Sequence, residues 1–364
     1  MRIVVKIGSS IVAGARAGLN TRRIAALAAA ISSARAAGHQ PVLVSSGAVA
    51  AGMLKLRMRK RPSDIKLKQA AASVGQPSLM WAYERGFAAH KEKVAQVLLT
   101  RDGLSDRKMY INAKNTLFTL LDYGVIPVVN ENDTVATEEI RFGDNDHLAA
   151  LVASLVEADR LIMLSDVDGL YTANPARDRR ARLIKTVEKV DADVMGLAGG
   201  SGSAVGTGGM YSKLLAARMA AQNGIGVNII NGRRPRLLAA VLQGGNPGTE
   251  FKPERGRLSA RKGWIAHGIR AKGALELDAG AVKALREGRK SLLPSGVLRM
   301  QGSFQAGDAV YCLDPQGNRI AKGVSNYSSD EVKRIMGRKT SEIEAALGYK
   351  YSDEIIHRDN MVIL

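Results

Sequence analysis

Up to about residue 250 the chain alternates short β-branched runs with longer stretches rich in Ala and Leu. The runs 2–7, 41–45, 94–100, 125–130, 160–165 and 227–230 read as strands. Between them Thr21 to Ala37, Asn112 to Leu121, Asp146 to Glu157 and Ser212 to Asn223 read as helices. Such alternation predicts parallel strands joined by helical crossovers, an α/β fold with a mostly parallel sheet sandwiched by helices. Gly38 and Gly224 follow two of the helices, where a left-handed C-cap is expected. In sheets of this kind ligands bind beyond the carboxyl ends of the strands, and the polar motifs of this chain fall there.

From Phe251 the texture changes. The stretch from Lys252 to Lys262 is basic and broken by Gly and Pro, the composition of a linker. After it come short segments with frequent turns at Gly273, Gly280, Gly302 and Gly307, which predict a small β-rich domain. The expected boundaries are a first domain over 1–250, a linker over 251–271, a β-rich domain over 272–352 and a tail over 353–364.

Composition narrows the class. A length of 364 residues suits two domains, and 46% hydrophobic residues exclude a disordered chain. Aromatics are only 4%, so the core must be built from Ala, Val, Ile and Leu. No apolar run approaches the ~20 residues that span a bilayer, which argues against a membrane protein. The segment from Ile3 to Val12 carries Lys6 in its middle and lacks a signal-peptide layout. Cys312 is the one cysteine, so an intramolecular disulfide is impossible and a reducing compartment, the cytoplasm, is expected. With one Cys and five scattered His, no Cys/His zinc site is readable.

The net charge of +19 raises the question of an anionic partner. The excess is spread, with 33 Lys and Arg against 21 Asp and Glu up to residue 250 and 20 against 13 after it. Its densest cluster is Lys55, Arg57, Arg59, Lys60, Arg61, Lys66 and Lys68, interrupted only by Asp64. Two readings stand level, a field that steers anionic substrates and an ordinary solvated loop. RNA binding ranks behind both.

Several motifs carry the chemistry. Lys6 stands at the end of the first strand, before Gly8 and Ser9, where its ammonium can sit over a phosphate; a snorkelling strand-end lysine is the plain alternative. Ser45, Ser46 and Gly47 repeat the arrangement after the second strand. Asn130 to Thr134 (NENDT) and Phe142 to Asp146 (FGDND) form two dense Asn/Asp clusters. One such residue is explained by N-capping a helix; two clusters around one loop are not. A small zwitterion needs this mixture, carboxylates for its ammonium, amides and a helix start for its carboxylates. Ser165 to Tyr171 (SDVDGLY) places Arg177 at the twelfth position from Asp166, so it is no EF-hand loop. Gly206 to Lys213 (GTGGMYSK) fails the Walker A spacing, yet puts glycines before a helix start and a lysine on its first turn.

Together VVKIGSSIV, SSGAVAAG, KQAAASVGQ, PVVNENDTVA, FGDND, SDVDGLYTANP and GTGGMYSK resemble the amino-acid kinase family. NENDTVA with FGDND is specific for its glutamate 5-kinase branch. GWIAHGI, SLLPSGV and GVSNYSSDE resemble the PUA module, a small RNA-associated β-barrel. The resemblance implies transfer of a phosphoryl group from ATP, with Mg²⁺, to L-glutamate on the route to proline. It implies that Lys6 and Lys213 neutralise the moving phosphoryl group and that Asp146 organises both. It assigns Ser46, Asp133 and Asn145 to glutamate, and Ser165, Asp166, Thr207, Gly208, Gly209, Met210 and Lys213 to the nucleotide. No metal ligand is assigned to the protein. Proline as feedback inhibitor, a homo-oligomer (dimer or tetramer), glutamyl phosphate reductase as a partner and RNA at the PUA-like domain are further implications.

Overall fold

Eight strands make up the sheet, and in five of them successive residues, pointing to opposite faces, are nearly all buried. They are β1 (Arg2–Ile7), β2 (Gln40–Ser45), β3 (Val94–Leu99), β4 (Ile126–Glu131), β5 (Arg160–Ser165), β6 (Thr186–Val187), β7 (Gly226–Asn231) and β8 (Thr249–Phe251). The computed structural model describes all residues except 15–17, 136–143, 199–208, 255–259 and 289. The sheet runs β3-β4-β2-β1-β5-β7-β8-β6. Its pairings are parallel apart from β7 with β8. The six strands expected from the sequence are present, each within a residue or so; the short β6 and β8 were not foreseen.

Helices cover both faces: α1 (Ser9–Val12), α2 (Thr21–Ala36), α3 (Ala48–Lys55), α4 (Ile65–Ala88), α5 (Arg101–Ser105), α6 (Arg107–Asp122), α7 (Asp144–Leu155), α8 (Ala192–Gly196), α9 (Met210–Gln222) and α10 (Leu237–Leu242). The period of two along the strands divides the core. Val4, Val42, Val44 and Val129 pack with Leu117 of α6, Leu148 of α7 and Leu214 of α9. Ile3, Val5, Ile7 and Leu43 face the other way, onto Leu27 of α2, Tyr83 of α4 and Leu238 of α10. Gly38 and Gly224 take φ of 84° and 72°, the left-handed caps expected of them.

One crossing is closer than side chains allow. A Cβ on Gly52 of α3 would press on the Ala71 carbonyl, and one on Gly75 of α4 on the Ala48 carbonyl. Both would fall well inside the 3.0 Å that real Cβ atoms essentially never breach. Glycine at both positions lets the two helix backbones touch.

The chain divides into Met1–Arg257 and Leu258–Leu364. The second unit holds β9 (Ala271–Leu277), β10 (Val297–Gly302), β11 (Ala309–Leu313), β12 (Arg319–Val324) and β13 (Met361–Ile363) in the order β10-β9-β11-β12-β13. Only β9 and β11 pair in parallel. β13 comes from the segment read as a tail. Leu275, Val310, Ile320, Tyr327 and Val332 build a core of its own. The helices that accompany the strands include Ala279–Arg286 and Ser329–Ile335, the latter opened by a Ser328/Glu331 capping box. Among the described residues no helix is long and apolar enough to cross a membrane.

Candidate active site

The carboxyl ends of β1, β2, β4 and β5 lie side by side in the sheet, and the starts of α7 and α9 carry the partners of the residues there. At the centre is Asp146, on the first turn of α7 and only 1% exposed. One of its oxygens meets Lys6 Nζ of β1 at 2.6 Å. The other meets Lys213 Nζ of α9 at 3.2 Å and accepts a 2.7 Å hydrogen bond from Ser212 Oγ. Residues as far apart in sequence as Lys6 and Lys213 thus meet at one buried carboxylate.

The electrostatics are lopsided by design of the residue types. Burial alone would push the Asp146 carboxyl up, but Lys6 and Lys213 together hold it below its usual range, so it stays a carboxylate. Burial, helped by the Lys213 charge, draws Lys6 below its ordinary value against the pull of Asp146. Two ammonium groups around one carboxylate leave an excess of one positive charge in a dry pocket. Such a pocket is suited to an anion that arrives already desolvated.

Beside it, Asn145 ties the ends of β2 and β4 together. Its Nδ2 donates to the Ser45 carbonyl at 2.8 Å, to Ser46 Oγ at 2.7 Å and to Asn130 Oδ1 at 3.1 Å. Its own Oδ1 is buried and, among the described residues, accepts no hydrogen bond. A buried amide oxygen without a donor is a vacancy in the hydrogen-bond ledger that a ligand N–H can fill. Asp133 is half-buried in a single 3₁₀ turn after β4, and burial pushes its carboxyl up to about 6. Asn130, inside the NENDT motif but not singled out from the sequence, is the acceptor that anchors Asn145.

Ser165 closes β5, its hydroxyl donating to Asp166 Oδ1 at 3.3 Å. Asp168, three positions on from Ser165, accepts from Asn231 Nδ2 of β7 at 2.9 Å and from the Tyr171 hydroxyl at 3.3 Å. Gly209 caps α9 in an extended conformation and Met210 begins the helix. Thr207 and Gly208 lie outside the described residues. The basic cluster divides between structures: Lys55 ends α3, Lys66 and Lys68 stand on the first turn of α4, and the rest form the exposed connection. Asp64, its one acid, caps α4 by accepting from the Leu67 N–H. Among the described residues no group of three or more His, Cys, Asp or Glu is placed to hold a metal ion. Trp264 and Tyr327 of the second unit are buried at 8% and 0% exposure and offer no face on which an RNA base could stack.

Comparison with known proteins follows the same division. The model of the amino acid kinase family matches residues 1–231, and that of the PUA domain matches residues 273–347. The chain is 51% identical over 363 residues to a glutamate 5-kinase of Geobacter sulfurreducens, covering 100% of this chain and 97% of the other. It is 51% identical to one from Pseudomonas putida, with 100% and 98% covered. It is 50% identical to one from Nitrosospira multiformis over the same shares. Among solved structures, isopentenyl phosphate kinase of T. acidophilum aligns with 69% of this chain and 100% of that one, at 17% identity and a TM-score of 0.48.

Proposed function

Because this chain belongs to the amino acid kinase family, in its glutamate 5-kinase branch, we propose the following division of labour for the transfer of a phosphoryl group from ATP to the side-chain carboxylate of L-glutamate. The single observation that carries it is the Lys6–Asp146–Lys213 cluster, buried, net positive and placed at the carboxyl ends of parallel strands.

The nucleophile is a carboxylate oxygen whose pKa is about 4.3, so it is ionised without help and no general base is needed. It attacks the γ-phosphorus as the bond to the bridging oxygen of ADP breaks, giving the acyl phosphate L-glutamyl 5-phosphate and ADP. What the chain supplies is alignment and charge neutralisation. Lys6 and Lys213 face the equatorial oxygens of the moving group. Asp146 keeps both ammonium groups aimed and apart. Ser46, Asn145 and Asp133 hold glutamate, the idle Asn145 Oδ1 and the Asp133 carboxylate taking its ammonium. Ser165, Asp166, Thr207, Gly208, Gly209 and Met210 hold the nucleotide. Mg²⁺ enters on the phosphates of ATP and offsets their charge; the lysine-rich donor set suits phosphate oxygens rather than a bare cation. The cytoplasm, where ATP and glutamate abound, is the proposed compartment.

The test is an ADP-release assay with glutamate, acetylglutamate, aspartate and UMP offered in turn. Turnover with glutamate and not with the other three supports the reading; turnover with another of them and not with glutamate ends it.

Two outcomes bear on the assignments. Asp133→Ala and Asn145→Ala are each expected to raise the KM for glutamate about 10-fold or more, the scale of a lost hydrogen bond to a charged group, with little change for ATP. Because Asp133 bears its charge only above about 6, wild-type KM for glutamate should also climb as pH falls through that value. In Asp133→Ala that climb should flatten. Equal effects on both substrates would show that the pockets are assigned wrongly.

The PUA-like unit lies outside this chemistry. A chain ending near Arg257 retains every residue named above and the whole eight-stranded sheet. It is expected to fold and to phosphorylate glutamate. Circular dichroism and the same assay check this, and a folded, inactive protein would mean that the second unit supplies a catalytic element.

A further inference from the structure

Ser46 is restrained on every side but one by contacts already counted. Its N–H donates to the Ile7 carbonyl at 3.1 Å, and its hydroxyl accepts from Asn145. Its carbonyl accepts a 3.0 Å hydrogen bond from Ser45 Oγ. That last bond spends the one proton Ser45 has. The Tyr83 hydroxyl, 2.7 Å from Ser45 Oγ, must then be the donor of the pair.

We propose that Tyr83 is a positioning residue for the glutamate pocket, its hydroxyl donating to Ser45 Oγ, which in turn fixes the peptide that presents Ser46. Tyr83 belongs to no motif and lies 37 positions past Ser46 in sequence, in the middle of α4. Its ring is wholly buried and stacks on Phe87 at 6.4 Å and 27°. Apolar filling there would be served as well by phenylalanine, so the hydroxyl is what requires a reason. A buried hydroxyl is tolerated only where it is bonded, and here the bond is made to the Ser45 hydroxyl, which itself donates to the Ser46 carbonyl. Burial also raises the phenol above its ordinary value, so it remains a donor across the working pH range. The close backbone contact at Gly52 and Gly75 holds α4 against α3, the helix that Ser46 and Gly47 lead into, so donor and acceptor ride on one rigid pair.

This inference rests on Ser46 and Asn145 serving glutamate, and its test separates the two. Tyr83→Phe, Ser45→Ala and the double variant are made in the full chain. Each single variant is expected to raise the KM for glutamate about 3- to 10-fold, the worth of one neutral hydrogen bond. The kcat and the KM for ATP should stay within about twofold, and the double variant should be no worse than the worse single one. Ser45→Thr, which restores a hydroxyl, should return KM towards wild type. If Tyr83→Phe does not fold, Ser45→Ala and Ser45→Thr carry the same comparison. An unchanged KM for glutamate, additive single effects, or a lower thermal midpoint with no split between the substrates would overturn the proposal and leave Tyr83 as core filling. Wild-type protein that turns over no glutamate would overturn the functional reading and this inference together.

Discussion

Lys213→Ala is expected to lower kcat by about 10² to 10³, with the KM for glutamate changed by no more than a few fold. The lysine is buried at 6% exposure and meets the carboxylate of Asp146 at 3.2 Å. It therefore stands in a low-dielectric site, where an ammonium acts on developing charge far more strongly than it would in water. Charge that builds on the phosphoryl oxygens only in the transition state makes its loss appear in kcat rather than in ground-state binding. Lys6→Ala should behave alike, because Lys6 faces the other oxygen of the same carboxylate at 2.6 Å. Neither variant strands Asp146, which keeps the remaining lysine. The fold should therefore survive and the comparison stay kinetic. Single-turnover measurements at saturating substrates decide it; a variant within about threefold of wild type in kcat removes that lysine from the catalytic set.

The largest expected loss of stability comes from a single methyl group. Gly75→Ala should cost about 3 kcal/mol, the upper end for overpacking, because the obstacle is the Ala48 backbone carbonyl rather than a side chain that could turn away. Gly196→Ala is the control: nothing lies within 4 Å of the Cβ it would add. Thermal unfolding of the two variants beside wild type separates them. The structure also dictates a kinetic signature. α3 follows directly on Ser46 and Gly47, so a forced separation of α3 from α4 should raise the KM for glutamate in whatever fraction remains folded. Equal midpoints for the two alanine variants would mean that the helices are not locked as described.

How much of this was visible in the residues varies from element to element. β1 and β5 were placed to the residue because apolar side chains cover both faces and polar neighbours mark their ends. α6 was begun five residues late: its first turn is Arg107, Lys108 and Met109, with no apolar period, and only the Asp106 side chain accepting from the Met109 N–H fixes the start. α4 was missed, since Gly75 and Pro77 look like interruptions and its basic start reads as loop. The glycine is there for a neighbour that sequence does not reveal. In the second unit the turns announced the strands, whereas the helix at Ser329–Ile335 went unread despite its Ser328/Glu331 box.

The site was more legible than the scaffold. The residues alone suggested Lys6 and Lys213 as phosphate lysines near glycine, while their grouping with Asp146 came from the motifs' resemblance to the amino-acid kinase family. Tyr83 was suggested by neither. A tyrosine in a helix carries no mark that its hydroxyl serves a turn 38 positions away.

The place of β1 has a consequence for how the chain comes off the ribosome. It is made before the other seven strands of its sheet, yet it lies between β2 and β5 in the finished sheet. Gln40 arrives soon enough to pair with Arg2. The other side waits for Arg160, which pairs with Ile3, and the Arg2 N–H waits for the carboxylate of Asp159, 157 positions later. At about 5 to 20 residues per second of synthesis, one flank of the strand stays unpaired for roughly 8 to 30 s after it emerges. Through that interval Ile3, Val5 and Ile7 are as available to another nascent chain as to their own. Slower translation between β2 and β5 would therefore lengthen the interval and lower the yield of folded protein, and a chaperone that covers β1 would raise it.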